Sequence, residues 1–348
     1  MPAASSLPYK VIKPATHSEW LAERTKGIGA SDAGKVIGVS NYGTPYTLWR
    51  AKVGLDAPVE ETWFMTRGHI YEPYIAQLFQ QETGLQVIKA SAGDWLAVDK
   101  KKSWLRVSPD WTYWLEGKKH NPFNRGILEV KTFNSLIDIN IDNWRDRHLD
   151  YFCQVQYQLH VLGLKQAFIG FLNVDNGEHF FDPIEYNADF CLNTLIPAID
   201  ELWLSHIKPA IALANTCPNN AQYIDEQLHE FAPAITNAAE TLTRYPRQQE
   251  GKATDVPTPD FFDALTAYRN RKRQIKELDD ENKAFEDTVK LYMQDAEFIP
   301  SADGKPIVTW KANRPSQKFD EKRFASDCPD LYEQYLTERQ GARVLKIK

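Results

Sequence analysis

The sequence predicts an α/β (α+β) fold in which helices flank a central mixed sheet and a helical and β module follows at the C-terminus. Residues 86–132 have the alternating pattern of strands, and residues 150–163 indicate a helix that is followed by two more strands. A linker at 251–260 then precedes a long, charged helix. This order of elements is typical of a mixed sheet with helices packed on its faces.

Length and composition are those of a globular protein. The 348 residues are 43% hydrophobic and 12% aromatic, and no apolar run approaches the roughly 20 residues that a membrane-spanning helix needs. Residues 1–17 contain neither a charged leader nor an apolar signal segment. We therefore expect a soluble, cytoplasmic protein that does not act at a membrane.

The spacing of the cysteines and the net charge limit the kinds of metal site and nucleic-acid surface that this chain can form. The four cysteines are scattered and form no C-x-x-C pair, so neither a zinc site nor an iron–sulfur cluster is indicated. The formal net charge of -6 argues against a broadly basic surface. A nucleic-acid partner would therefore require positive potential that is concentrated in a local groove.

Two helices with terminal signals are predicted before the strands. In "RGHIYEPYIAQLFQQETG" the apolar residues share one helical face, Gly84 ends the helix, and Pro73 places Glu72 near the helix start or at a kink. In "GIGASDAGKVIG" Ser31 is a suitable N-cap. The same glycine-containing turn could instead present backbone N–H groups to an anion.

The segment "GILEVKT", residues 126–132, contains two charges on a strand that is otherwise suited to burial. In a strand, Ile127, Glu129 and Lys131 share one face. An ion pair on a solvated sheet face would explain both charges without any function. However, Asp110 in "SPDW" precedes the turn to this strand, so a hairpin can bring two carboxylates together. They would repel each other unless a cation lies between them.

These residues suit a magnesium site. Hard divalent cations bind oxygen ligands and usually keep several waters that a substrate phosphate can displace. Asp110, Glu129 and the main-chain carbonyl of Val130 supply such oxygens, and Lys131 can offset one negative charge. The residues alone thus indicate metal-dependent hydrolysis of a phosphodiester.

The motifs together resemble those of a known nuclease family. Asp110 followed by Glu129-Val130-Lys131 resembles the PD-(D/E)xK nuclease signature. The wider set of motifs has the order and spacing of the YqaJ-type viral recombinase and lambda exonuclease family; it comprises "GIGASDAGKVIG", "GHIYEP", "SPDW", "LEVKT" and "YFCQVQYQLHVLG". The resemblance covers about residues 18–215 and implies a restriction-endonuclease-like core.

The resemblance also implies roles for individual residues. One or two Mg²⁺ ions, which Mn²⁺ could replace, would be held by Glu72, Asp110, Glu129 and the carbonyl of Val130. Lys131 would orient the attacking water, and Gln154 would steady that water or Lys131. The implied catalytic residues are Asp110, Glu129, Lys131 and Gln154.

Some of these residues also have a purely structural explanation. Glu72 could cap a helix start, where a negative charge is favoured. Gln154 and Gln158 lie four residues apart and could form a polar stripe on a helix. His69 is not expected to bind metal, because the matching family position is not a ligand. Asp32 occupies a position that is acidic in relatives, without a defined role.

The implied function is a Mg²⁺-dependent exonuclease that degrades one strand of duplex DNA from 5′ to 3′ and leaves a 3′ overhang for phage-type recombination. Arg24 and Ser31 would contact the 5′-terminal phosphate. Relatives form ring-shaped trimers and work with a single-strand annealing protein, so a homotrimer, such a partner and a phage or prophage gene in a bacterial host are implied. The rival functions are an endonuclease on the same core and a DNA-end-binding module whose nuclease has decayed.

The sequence is predicted to divide into a nuclease domain, residues 1–250, and a C-terminal accessory module, residues 251–348. The long helix of the module is basic from Arg269 to Lys276 and acidic from Glu277 onward. It could be a solvated helix, or its basic residues could approach DNA phosphates or a partner; these are Arg269, Arg271, Lys272 and Arg273. A small β region, "KPIVTWKAN", and a final helix and strand in "PDLYEQYLTERQGARVLKIK" complete the module.

Overall fold

The computed structural model describes residues 7–57, 59–89, 95–115, 124–216, 226–337 and 341–347. The chain divides into two compact units, Met1–Arg244 and Tyr245–Lys348. Most of the predicted turn at 117–126 and of the predicted helix break at 213–223 lies outside the described residues. In the described part of the chain, no helix combines the length and apolarity that crossing a bilayer requires.

The first unit alternates helices and strands. In chain order it contains β1 (Tyr9–Ile12), α1 (His17–Thr25), α2 (Ala33–Val36), α3 (Pro45–Val53), α4 (Trp63–Thr83), β2 (Val87–Lys89), β3 (Leu96–Asp99), β4 (Arg106–Val107), β5 (Trp111–Trp114), β6 (Arg125–Phe133), α5 (Trp144–Arg147), α6 (Leu149–Leu162), β7 (Gln166–Asn173) and β8 (His179–Glu185). Five contiguous helical segments then form one helix, α7 (residues 188–216), and α8 (Ala238–Arg244) follows. The long helix predicted at 187–215 is confirmed.

A five-stranded mixed sheet lies at the centre of this unit, with the strand order β2-β5-β6-β7-β8. Its neighbouring strands are antiparallel except for β6 and β7, which are parallel. Parallel neighbours require a crossover connection, and α5 and α6 lie in that connection. A smaller sheet has the order β1-β3-β4. The predicted fold class, a mixed sheet flanked by helices, is confirmed.

Both faces of β6 are buried. Ile127 belongs to the larger apolar core, which also contains residues of α6 and α7. Leu128 and Val130 point to the other face and pack in a second core with Ile75 and Phe79 of α4. Since neither face of β6 is solvated, an ordinary surface ion pair does not account for the charges on this strand.

Two predictions of helix starts are wrong. The helix that carries Glu72 begins at Trp63, where the Thr62 side chain accepts a hydrogen bond from the backbone N–H of Met65, so Glu72 lies inside α4 and does not cap it. Pro73 is exposed within this helix, where solvent can satisfy the carbonyl group that a proline leaves without an N–H donor. Ser31 lies inside a short 3₁₀ turn, Ala30–Asp32, and is not an N-cap.

The close contact between α2 and α6 depends on a glycine. A Cβ atom added at Gly34 would lie 2.5 Å from the Cβ atom and 2.8 Å from the Cα atom of Asp150. We expect Gly34→Ala to lower the free energy of unfolding by about 1–3 kcal/mol, because the two helices must separate. Gly68→Ala is the matched control, since the position of its added Cβ has no neighbour within 4 Å. Urea unfolding of both variants measures the difference, and equal stabilities would contradict the proposed close packing.

The second unit contains one long helix and several short elements. They are α9 (Pro259–Met293), β9 (Phe298–Pro300), β10 (Pro306–Thr309), α10 (Glu321–Asp327) and α11 (Pro329–Gln334). The antiparallel pair β9–β10 confirms the predicted small β region. The predicted final strand is wrong for residues 341–347, which have no strand partner; the Arg343 guanidinium there donates instead to the backbone carbonyl of Tyr245 at 2.7 Å.

Candidate active site

The β5–β6 hairpin brings Asp110 and Glu129 to one edge of the central sheet. Trp111 pairs with Leu128, so Asp110, directly before β5, lies beside the middle of β6. One Asp110 carboxylate oxygen, Oδ2, accepts a hydrogen bond of 3.0 Å from the backbone N–H of Val130. The sequence therefore predicted the meeting of these residues correctly, and Asp110 itself lies in the short connection between β4 and β5.

Glu129 is buried, with an exposed fraction of 2%, and three side chains donate hydrogen bonds to its carboxylate. Lys131 Nζ and Gln154 Nε2 both donate to Oε1, at 2.8 Å and 2.5 Å. Gln158 Nε2 donates to Oε2 at 2.9 Å. Lys131 Nζ also donates to Gln154 Oε1 at 3.1 Å, which closes a network between β6 and α6.

Burial and the repulsion between Asp110 and Glu129 dominate the electrostatics of this site. Burial and the neighbouring Glu129 raise the pKa of Asp110 well above its usual range, and Lys131 opposes that rise. Burial alone would lower the pKa of Lys131, but Glu129 and Asp110 raise it above the ordinary value. A further cation at this edge would favour the charged form of Asp110.

Glu72 reaches the same region from α4. It is half-buried, and its pKa is raised by burial although His69 opposes the rise. His69 Nδ1 lies 3.1 Å from Glu72 Oε1. Among the residues that the structure describes, no three histidine, cysteine or carboxylate side chains are grouped tightly enough to hold a metal ion. The role of Glu72 as a third carboxylate ligand therefore stays a prediction.

The donor set nevertheless fits a hard divalent cation. Asp110 and Glu129 offer carboxylate oxygens from the β5–β6 hairpin, and burial together with the charge of Glu129 raises the pKa of Asp110. Glu72 lies close enough to raise the pKa of Asp110 further. A bound cation would be held by these carboxylates and by the carbonyl of Val130. These assignments remain predictions.

Two side chains of this site were not identified from the sequence. Gln158 is fully buried, and its Nε2 donor binds Glu129, whereas its spacing from Gln154 equally suited a polar helix stripe. Tyr151 places its ring 4.9 Å from Lys131 Nζ, a cation–π distance. Neither contact has a local sequence signal, because each depends on how α6 packs against β6.

A second cluster of polar residues forms where α1 meets the 3₁₀ turn. Arg24 Nη2 donates to Ser31 Oγ at 3.3 Å, and its guanidinium carbon lies 4.6 Å from the centre of the Trp20 ring. The structure thus brings the two predicted phosphate ligands together. However, the adjacent helix α2 has only four residues, so a helix dipole supplies little of the expected attraction.

Asp32, which had no predicted role, forms ion pairs with the lysine side chains of this cluster. Lys52 Nζ and Lys35 Nζ lie 3.2 Å and 3.3 Å from its two carboxylate oxygens. Burial raises the pKa of Asp32, but Lys52, Lys35 and Arg24 outweigh burial and hold it below its usual value. Asp32 therefore gathers positive groups beside Ser31, which is exposed.

Residues 19–165 match the model of the YqaJ-like viral recombinase domain. The protein YqaJ of Bacillus subtilis (strain 168) is 29% identical over 341 residues, which cover 94% of this chain and 93% of the relative.

Solved structures with partial similarity include two exonucleases. An alkaline exonuclease (LHK-Exo) from Laribacter hongkongensis is 19% identical with a TM-score of 0.44, and the alignment covers 62% of this chain and 100% of that one. A phage related exonuclease from Haemophilus somnus 129PT is 14% identical with a TM-score of 0.38, over 59% of this chain and 96% of the other. The match of residues 19–165 to the YqaJ-like viral recombinase domain model agrees with the resemblance in the order of motifs.

Proposed function

We propose that the first unit is a Mg²⁺-dependent exonuclease that degrades one strand of duplex DNA from 5′ to 3′ and leaves 3′ overhangs for phage-type recombination. The observation that carries the proposal is the buried Glu129 carboxylate, which lies beside Asp110 and is bound by Lys131, Gln154 and Gln158. Carboxylates that can bind a metal, with a lysine beside them, suit the hydrolysis of a phosphodiester. The viral recombinase domain supports a role in recombination.

Each residue of the site has a distinct task in the proposed reaction. Asp110, Glu129, Glu72 and the Val130 carbonyl would hold one or two Mg²⁺ ions, or Mn²⁺ in their place. When bound, the ions lower the pKa of a water and neutralise phosphate charge. Lys131 stabilises negative charge on the phosphate, and it is already oriented by Glu129 and Gln154. Gln154 and Gln158 fix the Glu129 carboxylate from α6.

The 5′ to 3′ direction of degradation requires a second contact with the DNA, because a metal site of this kind cuts any phosphodiester that reaches it. A 5′-terminal phosphate is a suitable handle, and the Arg24–Ser31 pair offers a guanidinium and a hydroxyl to such an anion. Lys35 and Lys52 add positive charge around Asp32. We assign the Arg24–Ser31 pair to the 5′-phosphate of the degraded strand.

This assignment predicts that 5′-phosphorylated duplex is degraded faster than the 5′-hydroxyl form. Charge-assisted hydrogen bonds contribute roughly 1.5–3 kcal/mol, which corresponds to about 10-fold to 150-fold in rate if the full contribution appears there. Arg24→Ala should remove most of the preference, and Arg314→Ala, at an exposed arginine of the second unit, should retain it. Initial rates on the two substrates measure the effect. Equal wild-type rates, or a preference that survives in Arg24→Ala, would contradict the assignment.

An endonuclease on the same core is the rival activity, and the form of the DNA distinguishes the two. The proposed exonuclease degrades linear duplex but spares covalently closed circles, because a circle offers no end to the Arg24–Ser31 pair. Nicking or linearisation of the circle at a comparable rate would identify an endonuclease.

We also propose that the chain forms a ring-shaped homotrimer around DNA and that a single-strand annealing protein is its partner.

A further inference from the structure

The helix α9 of the second unit carries a largely exposed stripe of apolar residues that is interrupted at Arg271 and Asn282. The helix has 35 residues, or about 52 Å, and Met293 is its only buried residue. Apolar residues occupy eight of the ten a and d positions of five consecutive heptads along it, the spacing of a coiled coil. The a positions are Phe261, Tyr268, Ile275, Asn282 and Val289, and the d positions are Ala264, Arg271, Leu278, Phe285 and Tyr292.

The stripe is too apolar for a solvated helix face. Ile275 and Leu278 at its centre are 50% and 59% exposed, and Phe285 and Tyr292 are 69% and 78% exposed. Large exposed apolar side chains at a and d positions are normally covered by a second helix.

Charge complementarity favours another copy of α9, running in the opposite direction, as the second helix. Five basic and no acidic residues lie between 269 and 276, whereas six acidic residues and one basic residue lie between 277 and 287. Antiparallel pairing places the basic half of each copy beside the acidic half of the other. Parallel pairing would instead place like charges together and would stack Arg271 on Arg271 of the second copy in the apolar seam.

One antiparallel register satisfies the whole stripe. When Ile275 packs against Leu278 of the other copy, Tyr268 meets Phe285, and Phe261 meets Tyr292. The same register pairs the two polar positions of the seam, Arg271 and Asn282, and pairs the small Ala264 with Val289. Beside the seam, Lys272 lies nearest to Asp279 of the other copy, and this contact occurs twice by symmetry.

We propose that α9 is a self-association surface, on which two copies of this chain pair as an antiparallel coiled coil. The contact has two-fold symmetry and is distinct from the proposed three-fold ring. If rings form, the α9 pairs join two of them. The assembly that the full-length protein forms in solution should therefore contain an even number of chains, each of 40.0 kDa.

A charge reversal tests the pairing and its direction in the full-length protein. Lys272→Glu places two glutamates beside two aspartates, and the dissociation constant of the paired state should rise about tenfold. Adding Asp279→Lys to that variant restores opposite charges only in the antiparallel register and should recover the wild-type constant. Arg273→Glu is the matched control, since it makes the same change in charge on the outer face of the helix.

Sedimentation equilibrium over a dilution series measures the mass, and circular dichroism checks that each variant keeps its helix content. We expect the mass of Lys272→Glu to fall to half of the wild-type mass at concentrations where Arg273→Glu remains paired. A wild-type mass of one or three chains would overturn the proposal. Failure of the double variant to recover would overturn the antiparallel register. Equal losses of DNA affinity in both single variants, without a change in mass, would show that the basic half binds DNA instead.

Discussion

Replacing Glu129 or Asp110 with alanine is expected to abolish cleavage of duplex DNA and to leave DNA binding largely intact. Each change removes an oxygen ligand from the proposed metal site, and the loss of rate should be on the order of 10³-fold or more. DNA binding should persist because removing a carboxylate also removes a repulsive charge near the phosphate. Single-turnover cleavage and a binding titration on the same linear duplex measure the two effects.

Folding of these variants needs its own control. Removal of the Glu129 side chain leaves the donors of Lys131, Gln154 and Gln158 without their shared acceptor. Glu129→Gln keeps the size of the side chain and should be equally inactive, because a neutral amide is a poor ligand for a hard cation. Glu178→Ala, at an exposed position after β7, should retain full activity. Rapid turnover by a folded Asp110→Ala protein would contradict the assignment of this site.

Lys131→Ala should also be nearly inactive, with a loss of about 10²-fold to 10³-fold in the rate of cleavage. Lys131 lies between Glu129 and Gln154 and carries the positive charge that the phosphate would meet. Because an ammonium group does not bind a cation, the affinity for Mg²⁺ should survive or increase. Isothermal titration with Mg²⁺ and a cleavage assay separate the two quantities.

Lys165→Ala provides the matched control, because Lys165 is an exposed lysine beside β7, with its ammonium group 5.4 Å from the Tyr186 ring. It should behave as the wild-type protein in both assays. A collapse of Mg²⁺ affinity in Lys131→Ala would show that Lys131 has a structural role, namely to keep Glu129 in place, and would remove it from the proposed reaction.

The sequence predicted those parts of the fold that depend on local pattern. The alternation in β6 correctly assigned Ile127 and Leu128 to opposite faces, because a strand has a fixed two-residue period. Pro73 was interpreted as a sign of a helix start or a kink, and the start is wrong, because exposure makes a proline tolerable inside α4. Local signals therefore failed where the tertiary environment decided the outcome.

The site shows the same limit. The motifs predicted that Asp110, Glu129, Lys131 and Gln154 lie together. The structure confirms this, since hydrogen bonds link Lys131 to Glu129 and Gln154, and Asp110 to the backbone of β6. The roles of Gln158 and Asp32 could not be derived in advance. Their partners, Glu129 and Lys52, lie 29 and 20 residues away along the chain, and only the packing of α6 and α3 makes these contacts.

The central claim, metal-dependent degradation from the 5′ end, is tested most directly with linear duplex DNA labelled at one strand end. The 5′-phosphorylated duplex is incubated with the full-length protein in Mg²⁺ or in EDTA, and the products are resolved over time. We expect a 5′ label to appear early as mononucleotide in Mg²⁺, a 3′ label to remain on progressively shorter strands, and no product in EDTA. Early release of the 3′ label, or the same degradation in EDTA as in Mg²⁺, would contradict the account.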